Sequence, residues 1–398
     1  MKVTVFGVVA ACAVVVIAAG SWLLVDSRSQ PAAAGASVSA QTNSILFDTS
    51  RIVALLQALL SVQNHIQPSS PLATTTIPFS PAATTATTTA RTATTTKPTT
   101  RTVTAAPTPP TPSQSPTESK LGLILPSLRS SIVNIICIPT SQSILKGISG
   151  TGVLIDPRGV ILTAAHVAQY ELIAQAHPEL MACMIRTGRP AANAYTAVPL
   201  YVSSKWVKNN AGALSEAMPT GTGENDYALL AITGSATSAH VPIPLPYMHL
   251  AAADPTEGDP VVIGSYGAEF LTSARIRSGI FPTLVYGSVK DRFTFVSQTI
   301  DLISLGGGAA AQEGSSGGGV ANITGQLIGL ITTSSTGSNI QTRDLRAITT
   351  PYLERAFKAE EGDSIETYLG RDTPKALAQS YTSQANQLAS VLIKANGL

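Results

Sequence analysis

The sequence predicts an all-β domain built as two six-stranded antiparallel barrels, carried behind a long low-complexity tether. Two observations carry this. From Leu121 onward, short apolar runs recur between Gly, Pro, Asp and Ser turn signals, the spacing of a sandwich or barrel rather than of alternating βα units. Over residues 68–120 the chain is almost only Thr, Ala, Pro and Ser, a composition that cannot bury enough apolar surface to offset its ordering entropy.

The elements follow in chain order. Residues 1–28 form a membrane anchor or signal segment: Lys2 precedes an uncharged apolar run from Val3 to Val25 that stops at Asp26 and Arg28. At ~1.5 Å per helical residue that run spans a bilayer. The preferred reading is an uncleaved anchor and the rival a cleaved signal peptide, since small residues such as Ala18, Ala19 and Gly20 lie within it. Either reading puts the remainder outside the cytoplasm, at the cell surface or in a periplasm. Residues 29–67 are a linker whose stretch from Ile45 to Ile66 has an amphipathic or coiled-coil-like stripe. Residues 68–120 read as a disordered, proline-stiffened stalk. Residues 121–358 are the β domain. Six strands are expected from "SIVNIICI" to "YALLAIT", and six more in "PVVIGSY", "ARIRSGIF", "TLVYGS", "FTFVSQTI", "GGVANI" and "LIGLITTS". Residues 359–398 form a helical extension, with "TPYLERAFKAEE" before it also of helical composition.

Charge excludes one class of partner. A formal net charge of +2 over 398 residues, with no basic patch interleaved with aromatics, gives no case for nucleic acid. No CxxC or HExxH spacing is present, so neither a metal nor an organic cofactor is expected. Cys137 and Cys183 read equally as a disulfide of an oxidising compartment or as two buried thiols.

A serine hydroxyl attacks only when a positioned imidazole takes its proton, and the imidazole needs a carboxylate to hold its tautomer. Of five histidines, His166 stands apart, where the apolar strand "GVILT" runs into two alanines and then the imidazole. Asp226, in "GENDYALLAI", directly precedes an apolar strand. Ser316 lies in "GSSGGGV", where glycines let the backbone turn its N–H groups. The same loop satisfies G-x-S-x-G, but the hydrolase elbow requires a histidine after the serine, and none follows His249.

"LTAAHV" and "GSSGGGV", in that order and with "DYALLAI" between them, resemble the signature motifs of trypsin-like serine proteases. The wider pattern is most similar to the bacterial HtrA/Deg branch over Leu121 to Lys358. The resemblance implies a chymotrypsin-like fold with the active site between the barrels, and a serine endopeptidase acting on proteins or peptides. It implies His166 as general base, Asp226 as its orienting carboxylate and Ser316 as nucleophile. The N–H groups of Gly314 and Ser316 would form the oxyanion hole. By position Ala310 falls near the specificity pocket, and Thr332, Thr333 and Ser334 on the strand that pairs with substrate. Nothing acidic is evident there, so a small or medium apolar residue is expected before the scissile bond.

The chain departs from the pattern in Gly319, where the family usually has proline, and in a longer loop before the serine. The forty residues after Lys358 are too short and too helical for the PDZ domain typical of that branch. Self-association is left open, and the reading of a different class is a catalytically silent protease-like domain that binds surface proteins or peptides.

Overall fold

The computed structural model describes residues 116–140, 145–215, 221–295, 298–335 and 339–398. The apolar run, the linker and almost all of the stalk lie outside the described residues. Among the described residues, no helix is long and apolar enough to cross a membrane.

The first half is a closed barrel of β1 (Ile132–Pro139), β2 (Ile148–Asp156), β3 (Val160–Thr163), β4 (Met181–Gly188), β5 (Ala191–Val202) and β6 (Ala228–Ser235). Its order is β1-β2-β3-β6-β5-β4, with every strand pairing antiparallel. β3 is buried at all four positions and β6 at its first five, as the continuous apolar runs of those strands require. Gly152 leaves room for the side chains of the strands beside it: a Cβ there would stand 2.4 Å from Ile161 Cγ2 on β3 and 3.2 Å from Val133 Cγ2 on β1.

The second half corrects the expectation of another closed six-stranded barrel. It is a seven-stranded sheet in the order β8-β7-β11-β12-β13-β10-β9. These strands are β7 (Pro260–Ser265), β8 (Thr283–Ser288), β9 (Asp291–Phe293), β10 (Leu302–Gly306), β11 (Gly319–Asn322), β12 (Leu327–Ser334) and β13 (Leu345–Thr349). β8 and β9 are its two edges. β9 is exposed along its three residues and stops where the chain wraps around the buried Asp301 carboxylate. That carboxylate accepts from Phe295 N at 2.8 Å, Thr299 Oγ1 at 2.9 Å and Arg355 Nη2 at 2.7 Å. Satisfying a buried charge thus takes the residues that "FTFVSQTI" would have given to a strand.

"ARIRSGIF" is also not a strand. Ser273–Ser278 form a short helix with no buried residue, capped by Thr272, whose Oγ1 accepts from Arg275 N at 3.3 Å. β10 and β13 were not expected from the sequence, because β10 sits beside a glycine run and is buried on both faces, so it shows no alternation. Helix α1 (Pro116–Ser131) begins within the last residues of the tether and packs on β7, β8 and β11. The remaining helices are α2 (Ala165–Ala176), α3 (Ser204–Asn210), α4 (the Ser273–Ser278 helix), α5 (Thr350–Glu361), α6 (Ile365–Gly370) and α7 (Pro374–Asn396).

The helical tail belongs to the first barrel. α7 starts at a Thr373 cap, ends at left-handed Gly397, and lies on β5 and α2. The Tyr381 hydroxyl donates to Val202 O at 3.0 Å and accepts from Val202 N at 2.9 Å, so it satisfies backbone that β5 leaves unpaired. Tyr201 meets the Phe357 ring edge-on at 4.7 Å beneath it. Leu392 is fully buried on α7. Leu392→Ala is therefore expected to cost about 2–5 kcal/mol of stability, read as a lower urea midpoint at unchanged slope.

Candidate active site

β3 and β6 are antiparallel neighbours with Thr163 opposite Ala228. His166 lies three residues beyond Thr163 and Asp226 two residues before Ala228, so the two strands deliver them to the same end of the barrel. There His166 Nδ1 lies 2.7 Å from Asp226 Oδ2, and the backbone N–H of His166 donates to Asp226 Oδ1 at 2.9 Å. A carboxylate that accepts at both oxygens fixes the imidazole proton on Nδ1 and leaves Nε2 as the free acceptor. Asp226 is 4 % exposed. Its loop is tied down by Asn225, which takes φ 56° and donates its N–H to the Tyr352 hydroxyl at 2.9 Å. Burial works against the imidazolium, but the adjacent Asp226 charge and hydrogen bond outweigh it, and the His166 pKa stands above its ordinary 6.5.

The serine loop is docked onto this end of the barrel by Thr151 of β2. Thr151 N donates to Ser316 O at 2.8 Å, while its hydroxyl donates to Gly314 O at 2.7 Å and accepts from Tyr266 N at 2.9 Å. Thr163 Oγ1 in turn donates to Thr151 O at 2.7 Å. Gly317 fits against this pair only because it lacks a side chain: at φ +83°, a Cβ would stand 1.9 Å from Thr151 O. Ser315 is buried, its hydroxyl 3.0 Å from that of Ser265, whereas Ser316 is half-buried. The N–H groups of Gly314 and Ser316 donate to no partner among the described residues, although those of Ser315, Gly317 and Gly318 all do. On the far side, Arg343 Nη2 donates to Glu269 Oε1 at 2.7 Å, and Glu269 Oε2 accepts from Glu313 N at 3.2 Å.

The other positions singled out from sequence are dispersed. Ala310 is 2 % exposed within the apolar cluster of the second sheet. Thr332 is buried, Thr333 half-buried and Ser334 exposed at the end of β12. Thr332 and Thr333 back the loop before Asp226, where a Cβ on Gly223 would stand 2.8 Å from Thr332 Oγ1. Cys137 and Cys183 face each other across β1 and β4 and are joined with Sγ–Sγ 2.02 Å. Sequence reasoning missed Thr151 and the Glu269–Arg343 clasp. Thr151 had a faint signal, standing between two glycines at the start of an apolar strand.

Residues 150–330 match the family described as the trypsin-like peptidase domain. In structure it is similar to the Rv3671c protease from M. tuberculosis in its active form. That match has 18% identity and a TM-score of 0.39, and covers 66% of this chain and 96% of that one. It is also similar to the HtrA-type protease AlgW with tripeptide, at 19% identity and a TM-score of 0.38, covering 61% of this chain and 64% of that one. A sequence comparison with curated proteins finds no match.

Proposed function

We propose that this domain is a serine endopeptidase that hydrolyses peptide bonds through an acyl-enzyme, held outside the cytoplasmic membrane by the apolar N-terminal run. The observation that carries the reading is the buried Asp226 bonded to His166 Nδ1, beside a docked serine loop with two uncommitted amides. Ser316 Oγ attacks the scissile carbonyl carbon while His166 Nε2 takes its proton. Asp226 holds the ring and stabilises the imidazolium that forms. The N–H groups of Gly314 and Ser316 receive the developing oxyanion. The imidazolium then protonates the leaving amine, and water, deprotonated by the same nitrogen, releases the acyl group. Thr332, Thr333 and Ser334 are proposed to present the substrate-pairing edge, with a small or medium apolar residue before the scissile bond.

The test is covalent labelling by a fluorophosphonate, which phosphonylates only an activated serine. Wild type is expected to label and Ser316→Ala to lose all labelling while keeping its thermal midpoint. Folded wild-type protein without Ser316-dependent labelling would instead favour a protein-binding module on a protease-like fold.

A further inference from the structure

Between the end of α1, the β4–β5 turn and the segment after β7 lies a cavity of about 340 Å³. Its walls include Arg129, Ser130, Thr187, Arg189 and Tyr266, and no carboxylate. Arg129 Nε is shielded from solvent and has no hydrogen-bond partner among the described residues. Arg189 is exposed at the rim, and neither arginine forms a salt bridge among the described residues.

The surroundings add charge without a counter-ion. Arg186, one residue before Thr187, is 2 % exposed, yet all its hydrogen bonds go to neutral acceptors. Nε and Nη2 reach Asn134 Oδ1 at 2.8 and 2.6 Å, and Nη1 reaches the carbonyls of Ile276 and Arg277 at 2.8 and 3.2 Å. Those carbonyls belong to α4, which also exposes Arg275 and Arg277, neither of them in a salt bridge among the described residues. By contrast, Arg158, Arg343, Arg346, Arg355 and Arg371 each hold an Asp or Glu. In a chain with 25 basic and 23 acidic residues, two arginines in the wall of one cavity that no carboxylate lines, with Arg186 beside Thr187, make a local excess of positive charge. Withdrawing a guanidinium from water costs free energy unless an acceptor replaces the water, and an oxyanion with two coplanar oxygens matches its fork.

We propose that this cavity is a binding site for a small oxyanion, either the carboxylate of an acidic polypeptide segment or a phosphate. Arg129 and Arg189 supply the charged donors and the Thr187 hydroxyl a neutral one, whereas the Ser130 hydroxyl is already committed to Ser127 O at 3.0 Å. The Tyr266 hydroxyl donates to Gly188 O at 3.1 Å and so fixes the turn that carries Arg189. Beyond Tyr266 the same wall continues into the serine loop, for Ala268 N donates to Glu313 O at 2.8 Å. The proposal does not depend on the peptidase reading, since it concerns binding alone.

The test is calorimetric titration of the full chain in detergent, at constant ionic strength, with inorganic phosphate and separately with a blocked hexaglutamate peptide. Saturable binding of at least one probe is expected, with a raised thermal midpoint. Arg189→Gln, at an exposed turn where folding is not at stake, should weaken that binding several-fold. Arg129→Gln combined with it should weaken binding at least tenfold. Saturation by phosphate alone would identify a phosphate site, and saturation by the peptide alone a site for acidic segments. Absence of saturable binding by both probes at millimolar concentration, or unchanged binding in Arg189→Gln and the double variant, overturns the proposal.

Discussion

Asp226→Asn is expected to leave the fold intact and to lower the rate of serine acylation by about 10⁴-fold. The reason lies in which atom carries the imidazole proton. The N–H of His166 needs an acceptor at 2.9 Å, so the asparagine oxygen stays on it and the amide NH₂ turns toward Nδ1. Nδ1 must then accept, the proton moves to Nε2, and Nε2 can no longer take the Ser316 proton. The pH profile separates this from simple loosening of the site. Neutral imidazole is the working form, and the His166 pKa is raised above 6.5 because Asp226 outweighs burial, so wild-type acylation should rise along a limb centred above 6.5. In the variant burial acts alone, and the residual activity should have its limb below 6.5. The same pair contributes stability that is complete below pH 6.5 and is lost as pH rises through the raised pKa. Acylation by a p-nitrophenyl ester, followed against pH in both proteins, measures this. A loss under tenfold with an unmoved limb would remove Asp226 from the role assigned to it.

How much was legible beforehand depended on whether a residue's job is local. β3 and β6 announce themselves as apolar runs, and the pairing of these strands is what brings His166 and Asp226 together, so a strand end and a strand start were enough to single out both residues. The second sheet was less legible because its margins obey distant partners. Asp301 takes the Phe295 N–H and the Thr299 hydroxyl for its carboxylate, and Arg355, on a later helix, helps satisfy it. β10 lacks alternation because it is covered on both faces. Thr151 serves three partners, one on the adjacent strand β3 and two, on the serine loop and after β7, more than a hundred residues away. Position in the chain carries no trace of such a role.

The second large effect concerns Glu171, five residues beyond His166 on α2 and invisible to sequence reasoning. Glu171 is 3 % exposed, its Oε1 has no hydrogen-bond partner, and a carboxylate oxygen and the two cystine sulfurs lie within 4.8 Å of one another. Neutral sulfurs offer no compensating charge, so burial pushes its pKa up from 4.5 to about 8. The sign runs opposite to that of a salt-bridged carboxylate. Between pH 4.5 and about 8 the folded protein holds a proton that the unfolded chain releases, so stability falls as pH rises through that window and levels off above it. At about 1.4 kcal/mol per pKa unit, the loss is on the order of 3–5 kcal/mol. Glu171→Gln keeps the shape and cannot ionise. It should match wild type near pH 4, where both side chains are neutral, and exceed it progressively up to pH 8. Urea midpoints across that range read the difference directly, and a gap that stays constant with pH would mean that Glu171 does not carry the titration.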